Sequence, residues 1–184
     1  MSNQSELSLS RQTIIQGLSV TALLLLVAST VGQIVKHIFG HPGLMGLVPL
    51  FYVDQEGNVP TFFSASLLLC ASLLLALISR LRKQSTDSRW LQWTILAVAL
   101  LYMAVDEASE IHELLQTPAK WLIGRQNAKG ILTYAWILFG ISFVLAFALS
   151  YLRFFLSLPL RTRRQFFTAA AVFLSGGLGM ELME

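Results

Sequence analysis

An all-α bundle of about five membrane-crossing helices, with its N-terminus in the cytoplasm, is the fold this sequence predicts. Three observations predict it. Of 184 residues, 55% are hydrophobic and only 12% charged, against about 25% charged in an ordinary soluble domain. The apolar residues form long continuous runs without the alternation of a transmembrane barrel. The basic residues collect in alternate loops.

A helix needs ~20 apolar residues to cross ~30 Å of hydrocarbon. By that measure the chain is a single membrane domain, residues 1–184, with helices over about 14–38, 61–81, 90–113, 131–155 and 165–184. The first is uncharged from Ile14 to Val35. It is too long for a signal-peptide core and lacks a small-residue cleavage site, so it reads as a retained anchor. The second follows the turn-rich stretch DQEGNVP, Asp54–Pro60, and the third runs from Trp90 through Val105 into an acidic segment. The fourth is apolar to Leu152, and the fifth carries Ser175, Gly176, Gly177 and Gly179, small residues that let a neighbouring backbone approach.

Orientation follows from Arg80, Arg82, Lys83 and Arg89 in one loop and Arg153, Arg161, Arg163 and Arg164 in another, both expected to be cytoplasmic. Eight of the ten acidic residues then fall on the outer side. Trp90, Trp93 and Tyr151 would form the inner aromatic belt, and Trp121, Tyr134 and Trp136 the outer one. The net charge of +3 is sorted by loop and not pooled on one face, which argues against nucleic acid as a partner. Cys70 is the only cysteine, so there is no disulfide framework or cysteine metal cluster. No Ser-His-Asp order, phosphate loop or dinucleotide fingerprint is present.

The chemistry concentrates in DEASEIHE, Asp106–Glu113. Asp106 lies 16 residues into the third helix and Glu181 16 residues into the fifth, so both are expected ~24 Å from the inner boundary, ~6 Å below the outer surface. An ionised carboxylate there costs a few kcal/mol unless it faces the bundle interior and finds a partner. On a regular helix Glu110 and Glu113 share the face of Asp106, at about 40° and −20°, whereas Glu107 is at about 100° and His112 at about −120°. His112 joins Asp106 only if the helix loosens near Ile111; otherwise it points to another partner, such as the outer end of the first helix. Asp106, His112, Glu113 and Glu181 are the candidate ligands of a divalent metal ion, with Glu110 and Glu107 as candidate catalytic bases. Zinc, manganese and iron are not distinguished by such a set. His37 and His41 have a four-residue spacing that suits a metal, although Gly40 and Pro42 end the helix there. DQEGNVP has oxygen-bearing side chains at alternate positions but lacks a full calcium-loop spacing.

The segments FYVDQEGNVPTFFSASLLL, AVDEASEIHE and GGLGMELME together resemble a family of uncharacterised bacterial multi-pass membrane proteins with a DExxxxHE-type motif at a helix end. The resemblance covers most of the chain and implies no known activity. It implies a bacterial inner membrane, where the basic loops put the acidic site on the outer side, and further sequence beyond Glu184 that would add ligands. The leading expectation is a metal-dependent hydrolase of a lipid or amphiphile; the alternatives are a proton- or cation-coupled carrier and a non-catalytic subunit with unknown protein partners. Against the carrier, the charges gather at one membrane face and no pair of broken helices marks the midplane.

Overall fold

The computed structural model describes residues 10–41, 43–114 and 136–181, with the side chains of 113, 136–139, 174 and 177–181 excepted. Every regular element among them is helical. Helix α1, Arg11–Ile38, starts where the Ser10 hydroxyl accepts the Thr13 N–H at 3.1 Å, an N-cap that satisfies one of the open amides of the first turn. It stops at Gly40, whose φ of +68° turns the chain at little steric cost. A 3₁₀ turn, Leu44–Gly46, leads into α2, Leu47–Phe51, which returns against α1 with Val48 in ordinary contact range of Gly32.

Helix α3, Val59–Gln84, is capped by Asn58, whose Oδ1 accepts the Thr61 N–H at 3.1 Å, and Pro60 stands in the first turn where its missing N–H costs nothing. Its partner α4, Trp90–Ser109, runs back antiparallel along it. Hydroxyls stitch the pair together: Ser72 Oγ donates to the Ala97 carbonyl at 2.7 Å, and Ser79 Oγ donates to the Trp90 carbonyl at 2.8 Å. Small polar side chains of this kind let two helix backbones close up in apolar surroundings. In the connecting turn, Asp87 accepts from Arg82 Nη1 at 2.9 Å and from Arg89 Nε at 3.1 Å. The Arg89 hydrogen bonds, with those of Arg82 adding to them, hold the Asp87 carboxyl down at about 2.

Beyond α5, the short helix Ile111–Leu114, come α6, Trp136–Leu156, and α7, Leu160–Glu181. The C-terminal part of α6 packs on the N-terminal part of α4, and the core sits there. Leu75, Trp93, Leu96, Ala97, Tyr151, Phe154 and Leu158 are all buried. Trp93 meets Phe154 edge to face at 5.1 Å between ring centroids, and Tyr151 stacks on Phe147 at 4.4 Å, arrangements that suit the ring quadrupoles. This aromatic cluster lies at the end of the bundle that carries the basic turns.

Three helices, Arg11–Ile38, Val59–Gln84 and Trp90–Ser109, are long and apolar enough to cross a membrane, and Gly140–Leu156 is a shorter apolar stretch. Along α1 only Ser29 is buried, while Leu23 and Leu24 are each more than half exposed. A helix that is apolar all round and bare on most of its surface needs an apolar medium.

Candidate functional site

The site forms at the opposite end from the aromatic core, where α4 stops. Glu110 takes the left-handed conformation, φ 54° and ψ 36°, with its N–H on the Asp106 carbonyl at 2.7 Å. That break turns the chain and brings His112 back over Asp106. One Asp106 oxygen accepts the His112 backbone N–H at 2.7 Å, and the other faces the ring Nδ1 at 3.3 Å. Of the two routes open to His112, loosening of the helix near Ile111 is the one taken, with the break at Glu110. The same break removes the single acidic stripe expected for Asp106, Glu110 and Glu113, since α4 ends at Ser109 and does not continue to 113.

The second imidazole nitrogen has a carboxylate too. His112 Nε2 lies 3.3 Å from Glu56 Oε1, on the loop between α2 and α3. Exposure falls from the loop inward: the side chain of Glu56 is 42% exposed, that of Asp106 23% and that of His112 17%. Neutral imidazole has one N–H, so it donates to only one of the two carboxylates.

Among the described residues, Glu107 and Glu110 lie against α3 and its preceding loop. The Ser64 hydroxyl on α3 donates to Glu107. Glu110 Oε1 lies over Gly57, 3.7 Å from where a Cβ would stand, and the φ of +70° at Gly57 favours glycine there. Asn58 holds the loop in place, its side-chain amide donating to the Tyr52 carbonyl at 2.5 Å and the Gln55 carbonyl at 2.6 Å. The Val53 N–H donates to Ser29 Oγ at 3.1 Å, which anchors the loop to α1 as well. The alternating oxygens of DQEGNVP therefore diverge: Asp54 accepts from Tyr52, Glu56 faces His112, and Asn58 caps α3.

Of the six sequence-predicted site residues, the structure brings Asp106 and His112 into contact and sets Glu107 and Glu110 on the adjoining surfaces of α3 and its loop. The side chains of Glu113 and Glu181 lie outside the described residues; Glu181 is the last residue of α7. Glu56 and Ser64 are partners that the expected set omits. Among the described residues, no three His, Cys, Asp or Glu side chains are arranged to hold a metal ion. Asp106 and Glu56 face opposite edges of one ring, and the ring keeps them from sharing an ion. His37 ends α1 and His41 lies beyond the helix, so their spacing is no longer that of one helical face.

A family profile described as a domain of unknown function, DUF8692, matches residues 17–184, which includes the whole of this site. The chain belongs to the DUF8692 family. Because that family is uncharacterised, membership agrees with the expectation of a resemblance that brings no activity. No curated protein and no solved structure matches this DUF8692 chain.

Proposed function

We propose that this DUF8692 chain is a multi-pass membrane protein that holds an exchangeable proton or cation in the group Asp106–His112–Glu56, at the outer end of its bundle. One observation carries the reading: both imidazole nitrogens face carboxylate oxygens, each at 3.3 Å. A site with two acceptors and one obligatory proton takes up and gives off one positive charge, the chemistry of proton- and cation-coupled proteins. The exposed Glu56 arm is the route for exchange with solvent, and Asp106 fixes the ring through a backbone and a side-chain contact. The N-terminus inside and the acidic end outside follow from the basic turns at the other end of the bundle.

A second reading keeps the same residues. Asp106 on Nδ1 is the partner that orients a metal-bound histidine, leaving Nε2 for the ion once Glu56 shifts. A divalent metal held there with oxygens from Glu113 and Glu181 would acidify water for attack on a lipid or amphiphile, with Glu110 or Glu107 as base.

Elemental mass spectrometry and proton flux into liposomes separate the two. Purified wild type free of zinc, manganese and iron, with a proton flux that His112→Ala abolishes, supports the first reading. About one equivalent of metal, lost in His112→Ala and in Glu181→Gln, supports the second. Neither metal nor flux would sink both and leave an assembly role.

A further inference from the structure

The outer face of the α3–α4 pair carries a cleft of about 350 Å³ that the acidic site does not use. Its walls are apolar: Leu73 and Ala76 from α3, Val98 and Leu101 from α4. Its floor contains Ser72 and Ser79, but both hydroxyls are turned into the helix pair and donate to backbone carbonyls, so the trough is apolar in effect. At its basic end stand Arg80 and Lys83, the latter with its Nζ 4.6 Å above the Trp90 ring.

The charge balance at that end is uneven. Asp87 is taken by Arg82 and Arg89. Among the described residues, Arg80 and Lys83 have no carboxylate partner. Two exposed cations without a counter-ion, at the mouth of an apolar trough, are matched by a molecule that is anionic at one end and aliphatic at the other. The dimensions agree, because the ten residue steps from Leu73 to Lys83 rise ~15 Å along α3, which is half of a ~30 Å hydrocarbon layer.

We infer that this cleft binds one anionic phospholipid of the leaflet on the basic side, its phosphate between Arg80 and Lys83 and one acyl chain along Ala76, Val98 and Leu101. The inference rests on the reading of the helices as membrane-crossing. Basic pockets at the cytoplasmic ends of membrane helices recognise acidic headgroups in this way. Lys83 Nζ stands 4.6 Å from the Trp90 ring, which positions the ammonium and leaves the N–H groups on its far side for a phosphate. A second cleft, between α4 and α6, also has arginines at its rim, Arg89 and Arg153. It differs in that Arg89 is committed to Asp87, which makes Arg153 the natural control.

Native mass spectrometry of the detergent-purified full chain, titrated with phosphatidylglycerol, phosphatidylcholine or glycerol 3-phosphate, tests the inference. Wild type is expected to retain phosphatidylglycerol on the order of tenfold more tightly than phosphatidylcholine. The double variant Arg80→Gln/Lys83→Gln abolishes that preference, Ala76→Phe weakens both lipids by filling the trough, and Arg153→Gln changes neither. A double variant that keeps the wild-type preference for phosphatidylglycerol, a loss of that preference in Arg153→Gln, or glycerol 3-phosphate binding as tight as the lipid would overturn it. Extraction of the chain from membranes by alkaline carbonate would instead defeat the membrane reading, and would do so before any lipid is added.

Discussion

Asn58 is the point at which one substitution reaches both the fold and the site. Its Oδ1 caps α3, and its amide nitrogen donates to two carbonyls of the loop that carries Glu56. Removing an N-cap costs about 1 kcal/mol, and each of the two amide hydrogen bonds contributes about as much. Asn58→Ala should therefore cost about 3 kcal/mol. Asn58→Ser keeps a capping oxygen and loses only the loop bonds, about 2 kcal/mol. At roughly 2–4 °C per kcal/mol for a chain of this size, the Ala variant should melt about 6–12 °C below wild type and the Ser variant about 4–8 °C below. Thermal unfolding in detergent followed by circular dichroism reads both. If Asn58→Ala melts within about 1 °C of wild type, or Ser is no better than Ala, the assignment of the loop's order to this side chain is wrong.

The interhelical hydroxyls should matter less. Ser72→Ala and Ser79→Ala are each expected to cost about 0.6 kcal/mol, at most about 1.7, because the carbonyls they meet are already bonded within α4; a larger loss in the same melting assay would contradict this. Trp93→Ala empties the centre of the aromatic core and should cost about 3–5 kcal/mol, read as loss of folded, monodisperse protein in size-exclusion chromatography. In the α3–α4 turn, Asp87 ionises at about 2 in the folded chain against 3.8 when unpaired, so folding favours its charged form. Its contribution is present above about pH 4 and is lost as pH falls towards 2, so an acid titration of Asp87→Asn should lack that part of the wild-type transition.

The helical class was legible because it rests on local chemistry, and three of the five expected crossings are helices long and apolar enough to span among the described residues. The long uncharged run of α1 admits little but a helix, whereas the Asn58 cap starts α3 at Val59, two residues before the expected position 61. The bend at Glu110 was not legible: DEASEIHE has no glycine at that point, and only tertiary contact reveals a glutamate held at positive φ. The position of His112 was foreseeable as an alternative, since helical geometry separates it from Asp106 unless the helix breaks. Glu56 escaped because its loop reads as a turn leading into a helix, and only the fold sends its three oxygen-bearing side chains to three different partners. The aromatic core at the basic end joins residues about sixty positions apart, a pairing that no local pattern encodes.

That core and the acidic site lie at opposite ends of α4, and the two ends are fastened differently. One is gripped by interlocked rings, the other by hydrogen bonds from an exposed loop and a four-residue helix. Rigid rings hold α4 at Trp93 and hydrogen bonds hold it at Asp106, so the acidic end is expected to open locally at lower cost than the aromatic end. Amide exchange should consequently quicken from the middle turns of α4 towards Ser109, the end next to His112.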